Sequence, residues 1–273
     1  MAEQEHSLPY SGKTGNRVGY RRGKKYFERQ QTKSYQPPAE SLKSANEFGT
    51  ASKASVLLRN AFKEVLLSSF KTDLHSRLSK RFGEVLRSGP IEKKGTRNVF
   101  DGDPEVLRGF EFNKDRSFDG LTLLRLTVNV HDKEVWVQLP SFKREIYTSM
   151  PPKAERLWVE VSYAWIDFTN AVHFTSKAPP VVFNGAEDFK GGRFKIAIRE
   201  EKQWALVVMI TICFDYNSSG PLGIIGNKMY QAGRIEKVLY FSDGKLLQYQ
   251  NNQVKSRKEP EKVAGPDVFW EEL

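Results

Sequence analysis

Between Tyr10 and Lys33 the chain sets Lys13, Arg17, Arg21, Arg22, Lys24, Lys25, Arg29 and Lys33 against a single acid, Glu28, with Tyr10, Tyr20, Tyr26, Phe27 and Tyr35 interleaved. Guanidinium and ammonium groups neutralise phosphates, and Tyr or Phe rings stack on exposed bases, so this mixture carries the chemistry of a nucleic-acid contact. It equally makes a docking face for protein, or a solvated surface in which rings cover a neighbouring element and basic stems lie along it. The candidate partner- or nucleic-acid-binding residues are Lys13, Arg17, Tyr20, Arg21, Arg22, Lys24, Lys25, Tyr26, Phe27 and Arg29.

The rest of the chain offers weaker chemistry. Gly12-Lys13-Thr14 matches the end of a phosphate-binding P-loop, but Ser7 stands where the pattern needs its first glycine, and no strand-to-helix context surrounds it. Gly220, Gly223 and Gly226 follow a strand with no helix behind them and read as a glycine-rich turn. His6, His75, His131 and His173 lie far apart, without the close spacing of a metal pair. Cys213 reads as a small buried residue, because nothing near it in sequence lowers its pKa. Asp101, Asp103 and Glu105 form an acidic turn, and Pro104 breaks the spacing of a calcium loop. Glu155 with Glu160 and Glu200 with Glu201 lack the spacing of an acid/base pair, although carboxylates from distant strands can assemble one. No catalytic residue, metal ligand or cofactor is assigned, and a hydrolase site built between β loops stays open as a third class.

Composition narrows the setting. The 273 residues are 39% hydrophobic and 28% charged, the balance of a soluble globular protein, and the net charge of +10 points to an anionic partner. A single cysteine rules out an intramolecular disulfide framework and fits a reducing compartment. The first residues, MAEQEHSLPYSGK, carry acids where a signal peptide has bases, and the longest apolar run, Trp204–Ile212, is far below the ~18 residues of a membrane span. A cytoplasmic protein is expected.

These residues must be positioned by elements with readable periods. In Phe194–Tyr216, Trp204, Leu206, Val208, Ile210, Ile212, Phe214 and Tyr216 alternate, and Ala205, Val207 and Met209 make the opposite face apolar too, which predicts a central strand buried on both sides. Phe194, Ile196 and Ile198 alternate upstream, and the short run Arg199–Gln203 predicts a hairpin between the two. Further strands are expected at Leu124–Val130, Val135–Leu139, Leu157–Trp165 and Ile235–Phe241. Pro151-Pro152, Pro179-Pro180, Asn184-Gly185, Gly191-Gly192 and Ser218–Gly226 supply the turns.

Nearer the start, glycines at 12, 15, 19 and 23 predict a two-stranded ribbon, Arg17–Arg22 and Lys24–Gln30. Pro37-Pro38 opens a helix with Leu42, Ala45, Phe48, Ser55, Leu58, Phe62, Val65 and Leu66 on one face, capped by Ser41 or Ser44, with Glu40 at its positive end. Its small-residue stretch Gly49–Ser55 invites the ribbon or another helix. A second helix carries Leu74, Leu78, Phe82, Val85 and Leu86, with Asp73 as cap and Gly89-Pro90 as stop. The fold class is α+β: a basic arm or ribbon at 1–36, a helical hairpin at 37–90, a linker at 91–105, a mostly antiparallel β-sandwich-like domain at 106–247 and a polar flexible tail at 248–273.

Gly12, Lys13, Gly15, Val18 and Tyr20, then Lys24, Tyr26 and Arg29, lead into a helix holding Phe48-Gly49 and Leu58-Arg59. This G-K-x-G-x-x-V-x-Y and K-x-Y-x-x-R arrangement resembles a group of uncharacterised Bacteroidetes-type proteins over about the first 90 residues and more loosely beyond. Glu28 departs from the pattern, which has an apolar residue there. The resemblance implies the architecture and a bacterial source, with no known activity and no transferred site. Together these readings predict a non-enzymatic binding or assembly protein that docks on a protein partner, or on itself, through the basic aromatic arm. The alternative is nucleic-acid binding through the same arm.

Overall fold

The computed structural model describes residues 2–3, 10–31, 36–66, 73–143, 154–183, 188–215 and 228–249. The expectations for His6, Pro151-Pro152, Asn184-Gly185, Tyr216, the glycines at 220, 223 and 226 and the tail beyond Tyr249 lie outside these residues. Among the described residues the architecture is α+β, with two helices of the α type and three antiparallel sheets. Two compact units divide the chain, Met1–Leu42 and Lys43–Leu273.

In the first unit the expected ribbon gains a strand on each side. Strands β1 (Ala2–Glu3), β2 (Gly12–Thr14), β3 (Arg17–Arg22) and β4 (Lys25–Gln30) form a sheet in the order β1-β4-β3-β2. Arg22 pairs with Lys25 across the two-residue turn Gly23-Lys24, where Gly23 takes φ +64°. A side chain rarely adopts that left-handed value, so the turn fixes both glycine and register.

The second unit is layered around a six-stranded sheet. Helix α1 (Ala39–Ala61) starts directly after Pro38, so Ser41 and Ser44 fall inside it rather than capping it. Ala51, Ala54, Ser55, Leu57, Leu58 and Ala61 are its buried residues, whereas Leu42 and Phe48 stay 49% and 70% exposed. The expected apolar face is therefore buried only from the small-residue stretch onward, where helix α2 (Leu74–Ser88) approaches: Ser52 Oγ lies 3.4 Å from His75 Nε2 and Ser55 Oγ donates to the His75 carbonyl at 3.3 Å. Asp73 stands at the cap position of α2 but makes no side-chain cap; its carboxylate pairs with Lys114 Nζ at 2.7 Å, and that contact holds it below the usual carboxylate range.

Residues 91–105, which composition suggests as a linker, lie within a stretch that forms 3-10 turns at Ile91–Lys93, Val99–Asp101 and Pro104–Leu107. Val99 and Leu107 are buried there, and Asn98 and Asp101 cap each other. Strands β5 (Thr127–His131), β6 (Glu134–Leu139) and β10 (Gly192–Ala197) make a small sheet in the order β10-β6-β5. Strands β7 (Arg156–Asp167), β8 (Val172–Lys177), β9 (Val181–Phe183), β11 (Gln203–Asp215), β12 (Gln231–Ser242) and β13 (Lys245–Leu246) make the large one, ordered β13-β12-β11-β7-β8 with β9 also on β7.

As its two apolar faces predict, β11 is central, and every residue after Gln203 is buried. Ala205, Val207 and Met209 join one core with Leu58, Phe62, Leu78 and Phe82 of the helical layer. Leu206, Val208, Ile210 and Ile212 join a second core with Val135, Val137 and Ile196 of the small sheet. The sheet is thus covered by helices on one face and by a second sheet on the other, which is why no polar face survives on this strand.

Two expectations are corrected. Strand β10 pairs with β6, not with β11. The Ile198 amide donates to the Lys133 carbonyl at 2.9 Å, so the chain stays in the small sheet until 198 and then passes to the large sheet through the largely exposed residues 199–203. Strand β12 is not one alternating face: Val208 registers with Lys237 but Met209 with Ile235, leaving Glu236 as a bulge. Ile235 therefore faces the helices while Leu239 and Phe241 face the small sheet. The outer edge of β12 is covered by residues 109–112, through Gly109 N–H to Ile235 O at 2.8 Å and Phe112 N–H to Gly233 O at 2.8 Å. An edge closed this way does not template a further strand.

Candidate functional site

Successive residues of a strand point to opposite faces, and partners across an antiparallel pair share a face. The register Arg22–Lys25, Tyr20–Phe27, Val18–Arg29 and Lys13–Val18 therefore places Lys13, Tyr20, Arg22, Lys25, Phe27 and Arg29 on one face of the first sheet. Tyr20 and Phe27 stack at its middle, centroids 6.0 Å apart and rings 26° from parallel. Lys13, Arg22, Lys25 and Arg29 are exposed, while the two rings are half-buried. Arg22 and Arg29 stand at opposite ends of the aromatic pair, about 14 Å apart along the strands at ~3.4 Å per residue.

The remaining predicted residues are not brought there. Arg17, Arg21 and Tyr26 lie on the other face, where Arg17 Nη1 pairs with Glu28 Oε1 at 2.7 Å. Arg21 folds back on its own hairpin, donating from Nε to the Gly23 carbonyl at 2.8 Å, with its guanidinium 5.8 Å from the Tyr26 centroid. Lys24 sits at the turn. Glu28, which departs from the resemblance, is thus the partner of Arg17 and also accepts from the Tyr10 hydroxyl at 3.5 Å. Gly12-Lys13-Thr14 is an edge strand paired with β3, not a phosphate loop.

The second unit places the other candidates in structural roles. Asp101 pairs with Lys93, Asp103 accepts the Glu105 amide, and Glu105 pairs with Lys237. Glu160 pairs with Lys177 at 3.2 Å and Glu200 with Lys133 at 2.6 Å. His131 packs on Trp136, ring centroids 4.8 Å apart. Among the described residues no group of His, Cys, Asp and Glu gathers to hold a metal, and no helix is long and apolar enough to cross a membrane.

A carboxylate cluster that single-strand reading misses surrounds Arg234. Glu236 Oε1 accepts from Arg234 Nε and Nη2 at 2.8 and 2.6 Å, Asp119 Oδ1 accepts from Nη1 at 2.6 Å, and the guanidinium lies 4.4 Å from the Phe118 ring centroid. Burial pushes the nearby Glu111 carboxyl up, while the Phe118 amide donates to it at 3.1 Å. The carboxylates here are engaged in holding a cation and an amide, which is a structural tie. Arg234 and Glu236 stand two residues apart on β12, but Asp119 joins them from 115 residues earlier in the chain, which no local pattern reveals.

Cys213 is buried on β11, and burial first, then the nearby Asp215 and Glu160 charges, push its thiol up to about 12. Only the thiolate attacks alkylating agents. Alkylation by iodoacetamide at pH 8 is therefore expected to be at least about a hundredfold slower in the folded protein than in urea. Equal rates in a mass-spectrometric time course would show this strand face to be open.

No family model matches the chain, and no curated protein sequence does. Of the solved structures, a chain from work on how CC2D1B coordinates ESCRT-III activity during the mitotic reformation of the nuclear envelope aligns over 74% of this chain and 72% of its own, at 11% identity and a TM-score of 0.21. A likeness of that size carries no argument about fold or function, so the reading of this chain rests on its own residues.

Proposed function

We propose that this is a binding protein whose N-terminal sheet docks on single-stranded nucleic acid. The observation that carries the reading is the sorting of charge by face. Lys13, Arg22, Lys25 and Arg29 surround the stacked Tyr20–Phe27 pair, while Glu28, the one acid of β2 to β4, lies on the opposite face with Arg17. Cations at both ends of an aromatic platform suit a strand whose phosphates run along the sheet while its bases stack. A single buried cysteine and the absence of a membrane-crossing helix among the described residues fit a cytoplasmic role.

Neutralising four phosphates of a single strand gives a slope of about −3 in log affinity against log salt, at ~0.7 per phosphate. Fluorescence anisotropy with a labelled oligonucleotide measures it. Replacing Arg22, Lys25 and Arg29 together by Ala is expected to bring the slope near −1, whereas Arg17→Ala with Arg21→Ala leaves it within about half a unit. Equal losses from both faces, or no binding at low salt, would remove this reading.

A second reading, assembly of the chain on a protein partner or on itself, is favoured by β2, an edge strand whose three residues are all exposed. It predicts a solution mass at a multiple of the single chain that falls back when residues 1–36 are deleted. A single-chain mass for both forms counts against self-assembly.

A further inference from the structure

The two helices meet at Ser52, Ser55 and His75 and part toward the start of α1 and the end of α2, with residues 91–97 closing a third side. The cleft left between them has a volume of about 760 Å³, within the ~300–1,000 Å³ of small-molecule sites.

Its deepest cation is Arg97, only 4% exposed. Arg97 Nε donates to the Pro90 carbonyl at 2.8 Å and Nη1 lies 3.2 Å from Glu47 Oε1, but Nη2 has no hydrogen-bond partner among the described residues. Ser79 Oγ, on the facing wall, has none either, although the residue is 7% exposed. Buried polar groups without partners lose their hydration with nothing in return, so two of them lining one cleft point to an acceptor that the described residues do not supply.

The charge of the walls says what kind. Lys80, Arg87, Lys94 and Arg97 line the cleft against one carboxylate, Glu47, which already accepts the Gly95 amide at 2.9 Å beside Arg97. Arg87 reaches in because Gly83, one turn before it, has no side chain: a Cβ there would stand 3.1 Å from Arg87 Nη1. On the rim, Phe48 and Ile91 are 70% and 60% exposed, an aromatic and an aliphatic surface that no core explains.

We propose that this cleft binds a phosphorylated small molecule of mononucleotide size, its phosphate held by Arg97, Lys80 and Arg87 and its planar apolar part lying against Phe48 and Ile91. The proposal does not rest on the reading of the N-terminal sheet. Calorimetric titration of the full chain at low salt, with adenosine 5′-monophosphate and with inorganic phosphate, tests it. The nucleotide is expected to bind saturably and about tenfold or more tighter than phosphate, roughly one good additional contact's worth. Lys80→Ala with Arg87→Ala, both exposed and outside the core, should weaken the nucleotide at least about tenfold. An unchanged urea midpoint for that variant shows that the fold is kept. Phe48→Ser should lower nucleotide affinity and leave phosphate affinity as it is. No saturable binding of either probe, nucleotide binding that survives the Lys80/Arg87 substitutions, or equal affinity for the two probes would each overturn the proposal.

Discussion

Gly102→Ala is expected to destabilise the second unit by about 3 kcal/mol or more, at or beyond the upper end of ordinary overpacking. The backbone is not the obstacle, because Gly102 has φ −104°, which any residue adopts. The obstacle is space: a Cβ would stand 1.9 Å from the Val85 carbonyl oxygen and 2.9 Å from Val85 Cγ1. Neither side can give. Val85 is fully buried in α2, whose Leu78, Phe82 and Leu86 are also fully buried, while the preceding turn is held by the reciprocal cap of Asn98 and Asp101. A fall in melting temperature of roughly 10 °C is the readout, at ~2–4 °C per kcal/mol for a unit of this size. Gly109→Ala is the contrasting control, with φ +73° but open space around the new methyl, and should lose only about 1 kcal/mol. Equal melting points for both variants would mean that the turn does not lie on α2.

Glu236→Ala should cost about 3 kcal/mol, for a different reason. The residue and Arg234 are 8% and 7% exposed, and the carboxylate accepts two of the guanidinium's donors. Removing it leaves a buried cation ion-paired with Asp119, itself half exposed, and with Glu111 nearby. Breaking one side of such a pair is more damaging than replacing both, so Arg234→Met combined with Glu236→Leu should regain most of the loss. Urea unfolding of the single and double variants measures the coupling, and a double variant no more stable than Glu236→Ala would show that the bulge needs the pair itself.

That pair also marks where sequence reading stops. The alternation of Trp204 to Phe214 reveals β11 and its burial on both faces, because a strand between two layers has no polar side to hide. The same alternation at Ile235–Phe241 misleads. A bulge changes which face follows, and the extra residue is defined only against the register of a partner strand. Phe194, Ile196 and Ile198 carry the same period whether they lie beside β11 or across the core from it, so their pairing with β6 is not in their pattern. In the N-terminal sheet, alternation separates Tyr20 and Arg22 from Arg21. Joining them to Phe27 and Arg29 requires the two-residue turn at Gly23-Lys24. The cleft is illegible for a related reason: Arg97 sits in a polar stretch, and its ion-pair partner Glu47 lies on α1 far back in the chain.

The order of layers along the chain has a consequence for synthesis. Leu58, Phe62, Leu78 and Phe82 belong to a core whose other wall is made by Ala205, Val207, Met209, Ile235 and Val238. At ~5–20 residues per second, the ribosome needs on the order of ten seconds to move from α2 to β11. For most of that interval the only part of this wall yet made is the β7–β8 pair, which brings Ala164 and Ile166, so much of the apolar stripe of the helices is available to a ribosome-associated chaperone.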